Sequence, residues 1–374
     1  MTSHSGLLDS VDLVVVGAGI VGLAHAYAAV ERGLSVAVVE RDERAVGASV
    51  RNFGHGCVTG QDGLALDYAL AARHSWLRLA TEAGFWLREA GTVVVARAED
   101  EYRVLAEFAG LRDGQVQLLD AAGVRERVST GPDVVGGALL PLDLRVDPRE
   151  AVHAVARYLA ERGVRFYFST SAALIEPGEV VTSRGRVRAA HVVLAVGHDV
   201  DRFFPTLAED HGLRRCALHM LRVADPHGRE VSSAVLTGLS MLRYGGFAVC
   251  PSLTEVRDRI TRESPRLLEL GLNLMFTQLP GGDLTIGDTH SYARTHAPYQ
   301  AEDLDECVLA EIAQLLGVPT LTVRERWRGI YASAPEPFLV AAPAPGVRVA
   351  SVTTGIGMTT AFGFAPAVLD DLLG

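Results

Sequence analysis

The hydrophobic pattern of the chain opens with a short β-branched run at residues 11–16, VDLVVV. Such a run is typical of a strand buried on both faces of a parallel sheet. Glycines follow within residues 17–22, and the segment LAHAYAAVERG then favours a helix that ends at Gly33. A second apolar run, residues 34–39, predicts another buried strand, which stops at Glu40. Strand, glycine turn, helix, strand and acid in this order predict the βαβ unit of a dinucleotide-binding fold.

The glycine turn of this unit has the spacing GxGxxG. Gly17 permits the tight turn, Gly19 lets the backbone approach a pyrophosphate, and Gly22 lets helix and strand pack closely. The helix N-terminus offers amides and a positive dipole to the phosphates, while Glu40 accepts hydrogen bonds from ribose hydroxyls. The cofactor contacts predicted for this unit are Gly17, Ala18, Gly19, Ile20, Val21, Gly22, Glu40 and Arg41.

Three later segments extend the nucleotide-binding part. Residues 147–173 predict an amphipathic helix that leads into a strand, and residues 187–197 predict a strand that ends on Gly197. From Ser351 the chain predicts a strand, a glycine turn and a helix that starts near Met358. A helix N-terminus there stabilises negative charge on a reduced flavin ring, which a nicotinamide does not develop. The C-terminal segment therefore favours FAD.

Between these segments lie two strand-rich stretches, residues 91–96 and 215–286. They predict a second sheet domain inserted into the first. The expected fold class is α/β: a Rossmann-type FAD-binding domain with an inserted, mainly antiparallel β-sheet substrate domain of α+β type. The expected boundaries are 9–85, 145–214 and 322–374 for the FAD-binding domain, and 86–144 and 215–321 for the substrate-binding domain.

Charge and composition exclude several function classes. The chain has 374 residues, a net charge of −10 and no lysine, so all 35 of its Lys+Arg residues are arginine. An acidic balance disfavours nucleic acid, and no lysine is available as a base or Schiff-base former. The four cysteines form no C-x-x-C pair, and no metal site is expected. No signal peptide or membrane span is evident, so a cytoplasmic monomer or homodimer is expected.

The motifs VVVGAGIVGL with Glu40, GASVRNFGHG, VVLAVG, RWRGIY and TTGIGMT together make the chain resemble the D-amino-acid oxidase superfamily of FAD-dependent oxidoreductases. The resemblance covers nearly the whole chain. The superfamily includes glycine oxidase and sarcosine oxidase. It implies that GASVRNFGHG contacts the pyrophosphate and the flavin and that Ala173 contacts the adenine. It also implies that TTGIGMT lies near the pyrimidine end of the flavin. The residues it adds to the predicted cofactor site are Ala48, Ser49, Asn52, Phe53, Gly54, Ala173, Ala195, Gly197, Gly329, Gly355, Ile356, Gly357, Met358 and Thr359.

Two departures from the family pattern bear on the chemistry. Tyr331 stands where amino-acid oxidases of the family carry an arginine that holds the substrate carboxylate. Gly329 stands where sarcosine oxidases carry the cysteine that binds flavin covalently, and Thr285 stands about where they carry an oxygen-activating lysine. The first departure moves the expected substrate away from ordinary α-amino acids, and the second implies non-covalent FAD.

The segments RNFGHG, CALHMLR, LRYGGF and IGDTHSY are most similar to a subfamily associated with bacterial phosphonate-utilisation loci. The candidate substrate residues are His290, Tyr331, His55, Arg243 and Tyr244. An arginine at 243 would provide a phosphonate clamp. The alternatives are a solvent-facing strand arginine at 243 and, for His55, a loop histidine satisfied by backbone groups.

The expected function is oxidation of a small primary or secondary amine, such as an aminophosphonate or its N-alkyl derivative. Hydride passes from the carbon beside nitrogen to flavin N5, and the imine then hydrolyses. No strong base is evident, because the pocket need only desolvate and orient a neutral amine. O2 or another acceptor reoxidises the flavin. A D-amino-acid, glycine or sarcosine-type oxidase and a non-catalytic flavin-binding protein remain alternatives.

Overall fold

The computed structural model describes residues 6–374. The first five residues, which belong to the N-terminal segment where no signal peptide is expected, lie outside the described range. The helices are α1 Ile20–Val30, α2 Gly63–Ala83, α3 Glu99–Leu111, α4 Ala121–Arg127, α5 Pro148–Glu161, α6 Pro205–Asp210, α7 Gly238–Met241, α8 Leu253–Glu263, α9 Pro265–Glu269, α10 Glu302–Leu316 and α11 Gly357–Leu373.

The strands follow the same chain order. They are β1 Leu7–Val16, β2 Val36–Val39, β3 His55–Gly56, β4 Leu87–Arg88, β5 Thr92–Ala96, β6 Gln117–Asp120, β7 Gly136–Leu140, β8 Leu144–Val146, β9 Arg165–Tyr167, β10 Ala172–Glu176, β11 Glu179–Thr182, β12 Gly185–Leu194, β13 Arg214–Val223, β14 Ala234–Thr237, β15 Met275–Gln278, β16 Leu284–Gly287, β17 Ser291–Ala293, β18 Val323–Ala344 and β19 Val347–Thr354.

The predicted βαβ unit forms the centre of a parallel sheet. Strand β1 pairs in parallel with β2 on one side and β12 on the other, and the sheet continues to β9 and β19. Side chains alternate along β1: Leu13 and Val15 join the core beneath α1 and α11, while Val14 and Val16 join the core on the opposite face. Burial on both faces explains why this strand has a continuous apolar sequence.

The long strand β18 connects the two sheets that the sequence predicts as separate. Its first part pairs antiparallel with β13, and its second part pairs antiparallel with β19. The strands therefore form one continuous series, β6-β7-β5-β14-β15-β16-β13-β18-β19-β12-β1-β2-β9. The predicted α/β fold with a mainly antiparallel second part is confirmed; the separation of the two sheets is not found.

The stretch 215–286 is less strand-rich than the sequence suggests, because it includes α7, α8 and α9. Helix α8 is one reason that the prediction is incomplete: its apolar positions, Val256 and Ile260, have helical spacing on one buried face, but they stand among many charged residues and were overlooked. Helix α10 adds a further helix to this part of the chain. Among the helices of residues 6–374, none is long and apolar enough to cross a membrane.

Candidate active site

A cavity of about 960 Å³ lies between the parallel sheet and the inserted part, near the upper end of the usual size for ligand pockets. All five predicted substrate residues line it: His55, Arg243, Tyr244, His290 and Tyr331. The predicted cofactor residues that line it are Gly17, Gly19, Ile20, Val21, Glu40, Arg41, Ala48, Ser49, Asn52, Phe53, Ala173, Ala195, Gly197, Gly329, Gly355, Ile356, Gly357, Met358 and Thr359. The structure therefore brings both predicted sets into one continuous cavity.

Three predicted cofactor residues, Ala18, Gly22 and Gly54, do not line the cavity, and contact between them and the cofactor stays a prediction. Gly22 packs against the carbonyl of Gly17, where a Cβ would not fit. Gly54 has a φ of +66° and packs against Val146, and Ala18 donates its backbone N–H to Glu40 Oε2 at 2.8 Å. All three support the cavity wall rather than form it.

The glycine turn is shaped for a close approach of a ligand to the backbone. Gly17 has a φ of +107°, and a Cβ at this position would lie 2.5 Å from the carbonyl oxygen of Ala195. Gly19, the N-cap of α1, has no side chain of its own to cap the helix, and the N–H of Ile20 donates instead to Ser49 Oγ at 2.8 Å. The helix N-terminus therefore faces the cavity with its positive dipole, as a pyrophosphate requires.

The end of β2 presents acidic and basic groups. Glu40 Oε1 accepts the backbone N–H of Asp42 at 3.0 Å, and Arg41 pairs with Asp199 at 2.7 Å. Burial raises the pKa of Asp199, but nearby His198 and the hydrogen bonds from Arg41 and Arg215 outweigh burial and lower it to about 2. Sequence reasoning missed Asp199, which lines the same end of the cavity, because its partners are distant along the chain.

The second helix N-terminus, at α11, lies at the other end of the cofactor region. Gly355 has a φ of +77°, and Ile356, the N-cap of α11, has no side-chain cap. The first turn is held in place by Trp76, whose Nε1 donates to Met358 O at 2.8 Å, and by Thr359 Oγ1, which accepts the N–H of Cys57 at 3.2 Å. A buried, uncapped helix N-terminus stabilises negative charge, which fits the pyrimidine end of a flavin.

Two tyrosines lie on the strands that pair with β13, and one of them, Tyr331, lines the cavity. Cys216 of β13 lies directly opposite Tyr292 of β17 and Tyr331 of β18, so all three side chains share one face of the sheet. Arg243 Nη2 donates to Tyr292 Oη at 2.9 Å. A Cβ at Gly355 would lie 2.9 Å from Cζ of Tyr331, which places this phenol against the turn before α11. The tyrosines therefore link Arg243 to the predicted flavin region.

His290 is held as a neutral imidazole. Burial, together with the charge of Arg243, lowers its pKa to about 3. Its Nδ1 lies 2.8 Å from the carbonyl oxygen of Gly271, which can only accept, so Nδ1 carries the proton. The ring lies edge-on to Tyr331, with centroids 6.4 Å apart. Burial also raises the pKa of Tyr331 and of Tyr244, so both phenols are neutral.

His55 belongs to strand β3 and is satisfied by a side chain, so the alternative of a loop histidine bonded to backbone is wrong. Its Nε2 lies 2.7 Å from Thr92 Oγ1, which donates to Asp143 Oδ2 at 2.7 Å. Since the single hydroxyl proton goes to Asp143, Nε2 of His55 is the donor to Thr92 Oγ1.

His55, Cys57 and Asp143 place ligand atoms within 4.8 Å of one another, a spacing that would suit a metal. Asp143 Oδ1 already accepts the backbone N–H groups of Val58 and Thr59, at 2.8 and 2.9 Å. Burial raises the pKa of the Cys57 thiol well above its usual value. Carboxylate and thiol are therefore committed to hydrogen bonding and burial, and the cluster joins β3 to the segment before β8.

Arg243 is exposed to the cavity and Tyr244 is half-buried, which favours a functional role for Arg243 over that of a strand arginine facing bulk solvent. Both lie in the loop after α7 rather than on a strand.

Two further cavity residues, Asn273 and Asp288, were missed by sequence reasoning. Asp288 is 3% exposed, and burial raises its pKa to about 7. In the sequence, Asp288 is a single acid two positions before His290, and nothing distinguishes it there from an ordinary turn residue.

One long cavity is surrounded by the glycine turn of a parallel sheet, the acid after its second strand and two helix N-termini. This arrangement is typical of a dinucleotide-dependent oxidoreductase. Residues 12–370 match the family model described as FAD dependent oxidoreductase (DAO), and the chain belongs to this family. The match confirms the prediction of FAD. The cavity fits this cofactor, because it has glycine-lined backbone and helix dipoles where a pyrophosphate and a reduced flavin need them.

Among its relatives, the chain is 29% identical to one of the subunits of opine oxidase from Rhizobium meliloti over 216 residues, 52% of this chain and 58% of that protein. It is 24% identical to D-amino acid dehydrogenase of Helicobacter pylori over 247 residues, 50% of this chain and 60% of that one. Each match thus spans less than two thirds of the relative. The fold is similar to that of glycine oxidase from Bacillus cereus, with a TM-score of 0.78, 19% identity and coverage of 97% and 95% of the two chains.

Proposed function

We propose that this chain oxidises a small primary or secondary amine that carries an anionic tail, such as an aminophosphonate or its N-alkyl derivative. The names of its relatives, opine oxidase and D-amino acid dehydrogenase, support an amino compound as substrate. The resemblance to the phosphonate-associated subfamily supports the phosphonate tail. Cytoplasmic location and a monomeric or homodimeric state stay predictions.

One observation carries the proposal: a guanidinium, that of Arg243, lines the same cavity as Tyr331, which stands where the family carries its carboxylate-binding arginine. Arg243 lines the pocket, and its Nη2 donates to the hydroxyl of Tyr292 at 2.9 Å, which holds the guanidinium in place. A planar guanidinium suits the oxygens of a phosphonate or carboxylate. The anionic tail therefore has a binding group, displaced from β18 to the loop after α7.

FAD, when bound, accepts the hydride released from the carbon beside the substrate nitrogen. The residues that would hold it are the glycine turn with Glu40, Ser49 and Asn52, and the first turn of α11. On the substrate side, the chain's own residues position the amine: Arg243, held by Tyr292, binds the tail, while the neutral rings of His290 and Tyr331 form an uncharged wall. Removing water from the amine lowers its pKa and exposes the nitrogen lone pair.

We further propose that FAD is held without a covalent bond. Gly329, where a covalent cysteine would stand, is buried, and a Cβ there would lie 3.3 Å from both the carbonyl oxygen of Arg51 and the side chain of Leu218. The proposed acceptor is O2, giving peroxide, although the absence of lysine leaves another acceptor open.

The test is anaerobic reduction of the flavin by matched amines. Aminomethylphosphonate, N-methylaminomethylphosphonate, glycine and sarcosine differ only in tail and N-methylation. We expect rapid bleaching by the phosphonate members and slow bleaching by the carboxylate members. Bleaching by none of a broad amine panel would contradict an amine oxidoreductase and favour a non-catalytic flavoprotein. Acid treatment should release all the flavin if it is non-covalent.

A second candidate is a D-amino-acid, glycine or sarcosine-type oxidase with a relocated carboxylate anchor. The observation that favours it is Arg243 itself, since a guanidinium binds a carboxylate as readily as a phosphonate. Faster bleaching by glycine or sarcosine than by the phosphonates would select this candidate.

A further inference from the structure

Asn273 and Asp288 form a pair of neighbouring residues at the substrate end of the cavity. Asn273 precedes β15 and Asp288 follows β16, and the two exchange backbone hydrogen bonds, N to O, of 2.8 Å each. Both residues line the cavity and both are buried, at 8% and 3% exposure. Their side chains are thus fixed by the ends of an antiparallel strand pair.

Hydrogen-bond acceptors are in excess at this place. Asn273 Oδ1 and Asp288 Oδ1 are buried and have no hydrogen-bond partner among the residues that the structure describes. His290 carries its proton on Nδ1, so its Nε2 is a third acceptor, 3.9 Å from Asp288 Oδ2. Burying unsatisfied acceptors costs roughly 1–3 kcal/mol each, so a group with several N–H donors would relieve them.

The nearby positive charge, Arg243, does not donate hydrogen bonds to these acceptors. The charge of Arg243 acts on Asp288, but no ion pair within 4.0 Å joins Arg243 to a carboxylate of residues 6–374; its guanidinium donates to Tyr292 instead. The cavity therefore holds a guanidinium and a carboxylate as separate groups, which matches a ligand with a positive end and a negative end.

We propose that Asp288, Asn273 and His290 form a binding site for the ammonium group of the substrate, with Asp288 as the proton acceptor. The inference rests on the proposed function and adds the amine end of the substrate to the tail end at Arg243. An ammonium presents N–H donors to the Asp288 carboxylate, the Asn273 carbonyl and the His290 Nε2. The recognised class is a zwitterionic amine.

The proton balance of the first step follows from these groups. One N–H bond of the ammonium breaks and an O–H bond forms on Asp288, leaving a lone pair on nitrogen. That lone pair would form the C=N bond when the adjacent carbon loses its hydrogen as hydride, for which bound FAD would supply the acceptor. Burial raises the pKa of Asp288 to about 7, so the carboxyl can take up and release a proton near neutral pH.

The test measures binding without turnover. 2-Aminoisobutyrate and (1-amino-1-methylethyl)phosphonate have no hydrogen on the carbon beside nitrogen and cannot be oxidised. Isobutyrate and isopropylphosphonate are the same molecules without the amine. Calorimetry on the FAD-loaded protein at about pH 8 gives the preference for each amine over its amine-free partner. Wild type should prefer the amine by roughly tenfold to a hundredfold, the range for charge-assisted hydrogen bonds.

Asp288→Asn should abolish that preference and leave binding of the amine-free partner unchanged or tighter. Asn273→Leu, which removes one acceptor and the side-chain hydrogen bond that Asn273 makes to Asp288, should reduce the preference several-fold. The control is Thr289→Val, between Asp288 and His290 in sequence but outside the cavity lining, which should keep the wild-type preference. In wild type the preference should fall between about pH 8 and pH 6, as Asp288 becomes protonated, and in Asp288→Asn it should not.

The proposal is overturned if wild type shows no preference for the amine, or if Asp288→Asn keeps it or weakens both partners equally. If Asp288→Asn fails to bind FAD, Asn273→Leu and the wild-type pH profile decide: a full preference in the first and a flat profile in the second overturn the proposal. Failure of the proposed function looks different. Amines would then leave the flavin oxidised, whatever the binding preference.

Discussion

The two ends of the cavity are built in different ways. At the nucleotide end, the shape comes from backbone: the Gly17 turn and the N-terminus of α1, contributed by one continuous segment. At the substrate end, the groups are side chains from separate segments: Arg243 after α7, Asp288 after β16 and Tyr331 on β18. The shape of the first end therefore depends on backbone conformation, while the polar groups of the second depend on individual side chains.

The largest effect is expected at the nucleotide end, from Gly17→Ala. A Cβ there would lie 2.5 Å from the Ala195 carbonyl oxygen, on a backbone with a φ of +107°, so the turn has to move. We expect the purified variant to contain little or no flavin. The measurement is the ratio of flavin to protein absorbance.

The matched control is Gly33→Ala. Gly33 also has a positive φ, +75°, but a Cβ at that position meets nothing within 4 Å. It should keep its flavin and lose about 1 kcal/mol of stability from backbone strain. Equal flavin content in the two alanine variants would mean that crowding at Gly17 does not shape the cofactor site.

At the substrate end, Arg243→Met should act on the substrate and spare the cofactor. Loss of a charged hydrogen-bond donor costs about 1.5–3 kcal/mol, which corresponds to roughly a tenfold to hundredfold rise in KM for amines with anionic tails. Flavin content should stay at the wild-type value. KM and kcat are measured with the best amine of the panel and with the same amine lacking its tail.

Arg294→Met is the control for this prediction, because Arg294 pairs with Glu209 on the surface at 2.7 Å. Its KM should equal that of wild type. If Arg243→Met raises KM equally for amines with and without an anionic tail, Arg243 does not recognise the tail.

The contrast between the two ends also decides what sequence can predict. The features of the nucleotide end lie close together in the sequence: the strand, the glycine spacing and the acid all occur within residues 11–40. The glycines are required there by the conformation of the backbone. Asp288 and Asn273 come together only because β15 pairs with β16, and Cys216 aligns Tyr292 with Tyr331 only through the register of three strands. Such pairings have no local sequence signature. The union of the two sheets by β18 was missed for the same reason.

A smaller effect concerns the stability cost of the buried acid. Burial raises the pKa of Asp288 from 3.8 to about 7, against the opposing charge of Arg243. Between about pH 4 and pH 7 the native chain therefore binds more protons than the unfolded chain, so this group makes stability fall as pH rises through that window. Asp288→Asn removes this dependence.

The melting temperature of Asp288→Asn, relative to wild type, should therefore be higher at about pH 8 than at about pH 5. Thermal unfolding of the FAD-loaded proteins in the absence of amine measures it. A difference in melting temperature that is the same at both pH values would mean that Asp288 titrates at its ordinary pKa and that the acid at the substrate end is not a buried carboxyl.

The smallest effect is expected from Ser49→Ala, where a side chain supports the backbone-built end. Ser49 Oγ accepts the N–H of Ile20 at 2.8 Å, at the start of α1. Removing such a capping acceptor costs about 1 kcal/mol, so urea unfolding of the FAD-free variant should show a loss of that size. Ser232→Ala, at an exposed hydroxyl bonded to Glu230, should show almost none. Equal stability of the two variants would mean that α1 needs no side chain at its N-terminus. The nucleotide end would then rest on backbone alone, and the contrast with the substrate end would be complete.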